Sequence, residues 1–155
     1  MSNKTLYLAS PYGFSDHWKF KLLPEFITKL EYMGVNVLEP FFRNNNVDIS
    51  TPGWANKVAC ANLNDLRNSD GLFAIVNGTP PDEGVMVELG VAIALGKPTF
   101  LFRDDFRKCS DSDEYPLNLM IFMGIPRYSS WKDYYYNSID DIDNNNKAIY
   151  KWLRN

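Results

Sequence analysis

The sequence predicts an α/β fold: a three-layer, doubly wound sheet of about five mainly parallel strands with helices on both faces. Three observations carry that reading. Short apolar segments rich in strand formers alternate with longer segments whose apolar residues recur every three or four positions. Gly71–Val76 is apolar without interruption, the mark of a strand buried on both faces. The 155 residues give room for one such domain and its core, expected to span residues 1–155.

Thr5–Ala9 is the first strand and stops at Ser10-Pro11-Tyr12-Gly13. Trp18–Met33 places Phe20, Leu22, Leu23, Phe26, Ile27, Leu30 and Met33 along one helix face, and Gly34 closes it. Val35–Leu38 is the second strand, and the polar, Asn-rich Glu39–Thr51 reads as a loop. Trp54–Leu66 is helical, with Ala55, Val58, Ala59, Asn62 and Leu66 on one stripe. Gly71–Val76, the third strand, is broken by Asn77–Pro81. Val85–Leu95 is a helix ended by Gly96, and Pro98–Phe102 is the fourth strand. Arg103–Tyr115 is charged and irregular, and Leu117–Phe122 gives one or two helical turns. Ile125–Tyr128 is expected as a fifth, weaker strand. Ser138–Leu153 is expected as a closing helix, with Ser138 and Asp141 as a loose capping pair. In such a flavodoxin- or Rossmann-like sheet, ligands sit outside the carboxyl ends of the strands. Those ends lead into Ser10–Ser15, Glu39–Asn46, Asn77–Gly84 and Arg103–Asp105.

Composition excludes several function classes. Sixteen basic against 19 acidic residues give a net charge of −3, which excludes nucleic-acid binding through overall charge. The longest apolar stretch, Val85–Leu95, is interrupted by Glu88 and falls short of the ~18 residues of a membrane span. Met1–Leu8 is too short for the apolar core of a secretion leader. Cys60 and Cys109 are too few and too far apart for a disulfide framework or a zinc site, and read as reduced thiols of a cytoplasmic protein. No Ser or Cys nucleophile pattern surrounds the lone His17. Ser10–Ser15 lacks the glycine spacing and lysine of a phosphate loop, and no Lys or Arg lies between Thr5 and Trp18. That favours an uncharged ligand.

The chemistry is expected between Asn77 and Leu95. From Val85 to Leu95, Glu88 is the one polar side chain in a helix apolar on nearly every side, which implies burial on nearly every side. A carboxylate there loses hydration unless partners offset it, so it is either functional or aimed out along a polar stripe with Asp82 and Gly84. Asp82 is either the cap of that helix or a second carboxylate at the strand end. Gly84 allows close approach of a ligand to the backbone. Two carboxylates at one strand end suit acid, base or nucleophile chemistry on a hydroxyl-rich substrate. A third acidic ligand at metal spacing is not evident, and no metal is expected. Asp65 is either an ordinary helix charge or a third acid converging on the pocket. Tyr7, on the first strand, needs a partner for its hydroxyl when buried, and Glu88 would be one. Tyr12, Phe14, Phe41 and Phe42 either pack as loop aromatics or sandwich a flat heterocycle.

These residues resemble the nucleoside 2-deoxyribosyltransferase family. The likeness rests on Leu6-Tyr7-Leu8, Asn64-Asp65-Leu66, the block from Asp82 through Gly84 to Glu88-Leu89-Gly90, and Asn118-Leu119-Met120. The resemblance implies transfer of a 2-deoxyribosyl group between nucleobases through a covalent intermediate on Glu88, with retention of the β configuration. It implies that Tyr7 orients Glu88, that Asp82 contacts the sugar hydroxyls, and that Asp65 handles the proton of the base. It further implies that Asn118 and Met120 reach the site of a neighbouring subunit in a homo-oligomer. The partners implied are 2′-deoxynucleosides and free nucleobases, with no cofactor, no nucleic-acid polymer and no membrane. Glu39–Asn46 departs from the better-known members, so no base-contacting residue is carried over there. The rival readings are a hydrolase, a 2′-deoxynucleoside 5′-monophosphate N-glycosidase, and a non-catalytic nucleotide-binding module.

Overall fold

A computed structural model describes residues 4–154. The start of the Met1–Leu8 segment lies outside the described residues. Among those residues, five parallel strands form one sheet in the order β2-β1-β3-β4-β5. They are β1 (Thr5–Ala9), β2 (Asn36–Leu38), β3 (Gly71–Ile75), β4 (Thr99–Phe102) and β5 (Tyr135–Tyr136). The helices are α1 (Leu23–Tyr32, entered by a π-helical turn at Trp18–Leu22), α2 (Pro40–Arg43), α3 (Trp54–Asn68), α4 (Glu83–Ala94) and α5 (Ala148–Trp152). None of the described helices is long and apolar enough to cross a membrane.

Alternation along the strands builds two cores. Leu6 and Leu8 of β1 point to one face, with Phe73 and Ile75 of β3, Phe26 and Leu30 of α1, and Ile149 of α5. Tyr7 and Ala9 point to the other face, with Leu72 and Ala74 of β3, Leu66 of α3, and Val85, Leu89 and Ala92 of α4. β1 pairs with β2 on one side and β3 on the other, so the chain reverses its winding at β1. A crevice opens at such a reversal, outside the carboxyl ends of the strands.

Four expectations are corrected. Ile125–Tyr128 is a turn, with Ser129 N bonded to Pro126 O and Tyr128 at φ 73, and the fifth strand is Tyr135–Tyr136. The closing helix is two short pieces, Ile139–Asp141 and α5. Between them Asn144 Oδ1 accepts from Asn146 N, a local turn that competes with the helix. The stretch read as a loop contains α2, which starts at Pro40 and is capped by both oxygens of Glu39, on Phe41 N (3.1 Å) and Phe42 N (2.8 Å). Finally, α4 is covered on one side only: within it Val87 is 67% exposed, and Leu95 just after it 49%.

Arg103, at the end of β4, is fully buried and ties the site's loops together. Its guanidinium donates to Val76 O (2.6 Å), Gly78 O (2.8 Å) and Arg107 O (2.7 Å). The first two carbonyls belong to the segment that leads from β3 into α4.

Candidate active site

Glu88 lies one and a half turns inside α4, and β1 runs beneath it. The Tyr7 hydroxyl donates to Glu88 Oε1 at 2.5 Å. Burial is the main reason that the Glu88 carboxyl is pushed up to about 7; Asp82 and Glu39 add to it, and the Tyr7 bond opposes it. Burial, then the Glu88 charge, push the Tyr7 phenol far above its ordinary range, so it stays a donor.

Asp82 is the N-cap of α4: its Oδ1 accepts from Val85 N at 3.0 Å, and Oδ2 has no protein partner among the described residues. Both readings of Asp82 therefore meet, because the capping carboxylate also lines the cleft. That cleft holds about 490 Å³ and is walled by Ser10, Phe14, Lys19, Phe41, Asn44, Asn62, Trp54, Asp82, Gly84 and Glu88. The volume suits a ligand of nucleoside size. A Cβ on Gly84 would meet only Asp82 Oδ1, at 3.2 Å, so the backbone there is open to a ligand. Phe14, 75% exposed, meets Phe41 edge-on at 5.0 Å. Gly13 makes the seat for Phe41, since a Cβ at that position would fall 2.0 Å from the ring.

The model of the nucleoside 2-deoxyribosyltransferase family matches residues 6–120. The chain belongs to that family. A nucleoside deoxyribosyltransferase of Limosilactobacillus fermentum is 28% identical over 146 residues, covering 86% of this chain and 83% of that protein. The solved 2-deoxyribosyltransferase of Bacillus psychrosaccharolyticus is 26% identical, with a TM-score of 0.70 over 96% of this chain and 95% of that one. The fold is shared with a 2-desoxiribosyltransferase of Leishmania mexicana, at 24% identity and a TM-score of 0.64 over 88% and 92% of the two chains. The family is one of enzymes that act on nucleosides and nucleobases.

The structure brings Tyr7, Asp82, Gly84 and Glu88 together, with Phe14 and Phe41 on the same cleft. Asp65 is not among the residues that line the cleft, and its charge acts on Tyr7. Both its oxygens are taken by Arg43, at 2.5 Å and 2.9 Å. Tyr12 does not line this cleft. Its ring is buried against Trp18 and Phe26, and its hydroxyl accepts from Asn77 at 2.9 Å, in the core on the opposite face. Asn118 and Met120 do not line this cleft either. Asn118 caps the turn Leu119–Phe122 and donates to Asp111, and Met120 is 61% exposed.

Sequence reasoning missed Glu39, Arg43, Lys19, Asn44, Asn62 and Trp54. An acidic residue before a proline was a readable helix start at Glu39-Pro40. Lys19 escaped because it sits beyond the Ser10–Ser15 loop, yet the π-helical turn places it on the cleft. A cation therefore stands on the cleft although the Ser10–Ser15 loop itself holds none. No local pattern marks Asn44; Asn62 is the polar member of the stripe Ala55, Val58, Ala59 and Leu66, a signal of the kind that marks Glu88.

Proposed function

We propose that this enzyme transfers the 2-deoxyribosyl group between nucleobases by double displacement, with a covalent deoxyribosyl–Glu88 intermediate and retention of the β configuration. The observation that carries this reading is the Glu88 carboxyl, raised to about 7 by burial and gripped by Tyr7, on a cleft of nucleoside size. A carboxylate so placed is stripped of water, aimed, and able to stabilise an oxocarbenium-like centre before bonding to it. In the first half, a Glu88 oxygen bonds to C1′ on the face opposite the base. The C1′–N bond breaks, and the base leaves with the bonding electrons and gains a proton. In the second half, a ring nitrogen of the incoming base attacks C1′ and loses its proton, and the Glu88 ester returns to carboxylate. Asp82 Oδ2 binds the sugar hydroxyls, Gly84 admits the sugar against the backbone, and the Phe14–Phe41 corner packs on the base. Asp65, once its pair with Arg43 opens, takes a proton from solvent, gives it to the leaving base, and takes back the proton that the incoming base loses.

A second copy of the chain completes the site through its Asn118 and Met120. The apolar surface left uncovered at Val87, Leu119, Met120 and Met123 supports such an assembly.

Incubation with 2′-deoxyinosine and adenine is expected to yield 2′-deoxyadenosine, and Glu88→Ala to abolish it while the circular dichroism spectrum is unchanged. Release of base and deoxyribose 5-phosphate from a 2′-deoxynucleoside 5′-monophosphate, without exchange, would show the hydrolase. That reading gains from Lys19, the cation on the cleft wall, which suits a 5′-phosphate. Binding without turnover would leave a nucleotide-binding module.

A further inference from the structure

We propose that Asn44 and Asn62 read the hydrogen-bonding edge of the nucleobase and separate amino from oxo bases. This rests on the proposed function, whose base subsite it specifies. Asn44 follows α2 directly, and Asn62 faces it from α3. Asn44 Nδ2 donates to Pro40 O at 2.8 Å and to Asn62 Oδ1 at 2.9 Å. A backbone carbonyl only accepts, so the Pro40 contact fixes which end of the Asn44 amide is NH2. That NH2 in turn fixes the Asn62 oxygen. Turning either amide over would set oxygen against oxygen or NH2 against NH2. The Arg43–Asp65 pair, one residue before Asn44 and three after Asn62, braces the same seam.

What remains unused is an acceptor, Asn44 Oδ1, and a donor, Asn62 Nδ2. Neither has a protein partner among the described residues, and both residues line the cleft that Glu88 lines. The Phe14–Phe41 corner and Trp54 supply apolar walls for a flat ring beside them. An adenine edge presents its exocyclic group as a donor, and a hypoxanthine or guanine edge presents it as an acceptor, so the ring position beside it is reversed too. An amide free to flip would accept either order. The locked pair offers one order, and a base of the wrong polarity leaves two groups unpaired.

Asn62→Asp tests this. It keeps an acceptor toward Asn44 Nδ2 and replaces the free donor by an acceptor. With adenine and hypoxanthine competing for the sugar of one donor nucleoside, the adenine-to-hypoxanthine ratio of kcat/KM is expected to change by about tenfold or more, the value of one hydrogen bond, rising if Asn62 faces the exocyclic group and falling if it faces the ring nitrogen beside it. The ratio of dissociation constants for 2′-deoxyadenosine and 2′-deoxyinosine is expected to shift the same way, and this reading does not need turnover. Asn44→Leu, which releases Asn62 to turn over, is expected to bring both ratios toward those of an unselective site. Ratios unchanged in both variants would overturn the proposal even if base exchange itself is efficient. Absence of exchange with the binding ratios shifted would instead count against the transfer reaction alone.

Discussion

At Glu88, burial and chemistry pull in opposite directions. Its carboxyl titrates near 7 in the folded chain against 4.5 when exposed, so the folded state holds the extra proton between those values. Stability therefore falls as pH rises from about 4.5 to 7 and stays low above it, a loss of roughly 3 kcal/mol at full size. Glu88→Gln still accepts the Tyr7 bond and has no charge to bury. It is expected to be more stable than the parent at pH 8 and equal to it near pH 4, as read by urea unfolding at the two values. The same titration governs rate. Attack needs the carboxylate, so kcat/KM is expected to drop as pH falls through about 7. Tyr7→Phe removes the bond that favours the charged form, and the acidic limb is expected to move up by roughly one to two pH units, as seen in a pH–rate profile. A merely structural tyrosine would lower the rate without moving that limb.

Among the elements, the segment between β3 and α4 decides where Asp82 and Glu88 stand, and Arg103 holds it from the end of β4. Replacing a fully buried guanidinium leaves Val76 O and Gly78 O without their donors. Arg103→Met is expected to cost about 3 kcal/mol in denaturant unfolding. That clamp was not legible in the sequence, because Arg103 opens a charged stretch that looks solvated. Elements with a long period were legible: α1, α3, α4 and the first four strands stand within a few residues of where spacing puts them. The last quarter was not. Tyr135–Tyr136 is too short for any alternation to register, and Ile125–Tyr128 imitates a strand although Pro126 and the positive φ of Tyr128 turn the chain. Ser138–Leu153 does carry apolar residues at helical spacing (Ile139, Ile142, Ile149, Leu153), but the Ser138 hydroxyl and the Asn144 side chain accept from the backbone N–H groups of Asp140 and Asn146, local bonds that compete with the helix. In the site, Glu88 and Tyr7 were legible because a polar side chain in an apolar helix or strand needs a reason, and Asp82 because it stands as an acid at the start of that helix. The Arg43–Asp65 and Asn44–Asn62 contacts join residues about 20 apart, and only the fold brings them face to face.

For the molecule as a whole, α4 is apolar all round and buried on one side, which misled the sequence reading about Glu88's surroundings in the single chain. The uncovered side and the exposed Met120 fit a site finished by a neighbour. Glu88→Ala and Asn118→Ala chains, each inactive alone, are therefore expected to recover part of the activity when mixed and allowed to exchange subunits; no recovery would place Asn118 outside the neighbour's site. The central step of the proposed reaction is bond formation between Glu88 and the sugar. It is tested most directly by quenching the enzyme in acid during turnover of 2′-deoxyinosine without an acceptor base and analysing the digest by mass spectrometry. The peptide that contains Glu88 is predicted to carry one added deoxyribosyl group on that residue. An unmodified Glu88 in a sample that has released one base per active site would contradict it.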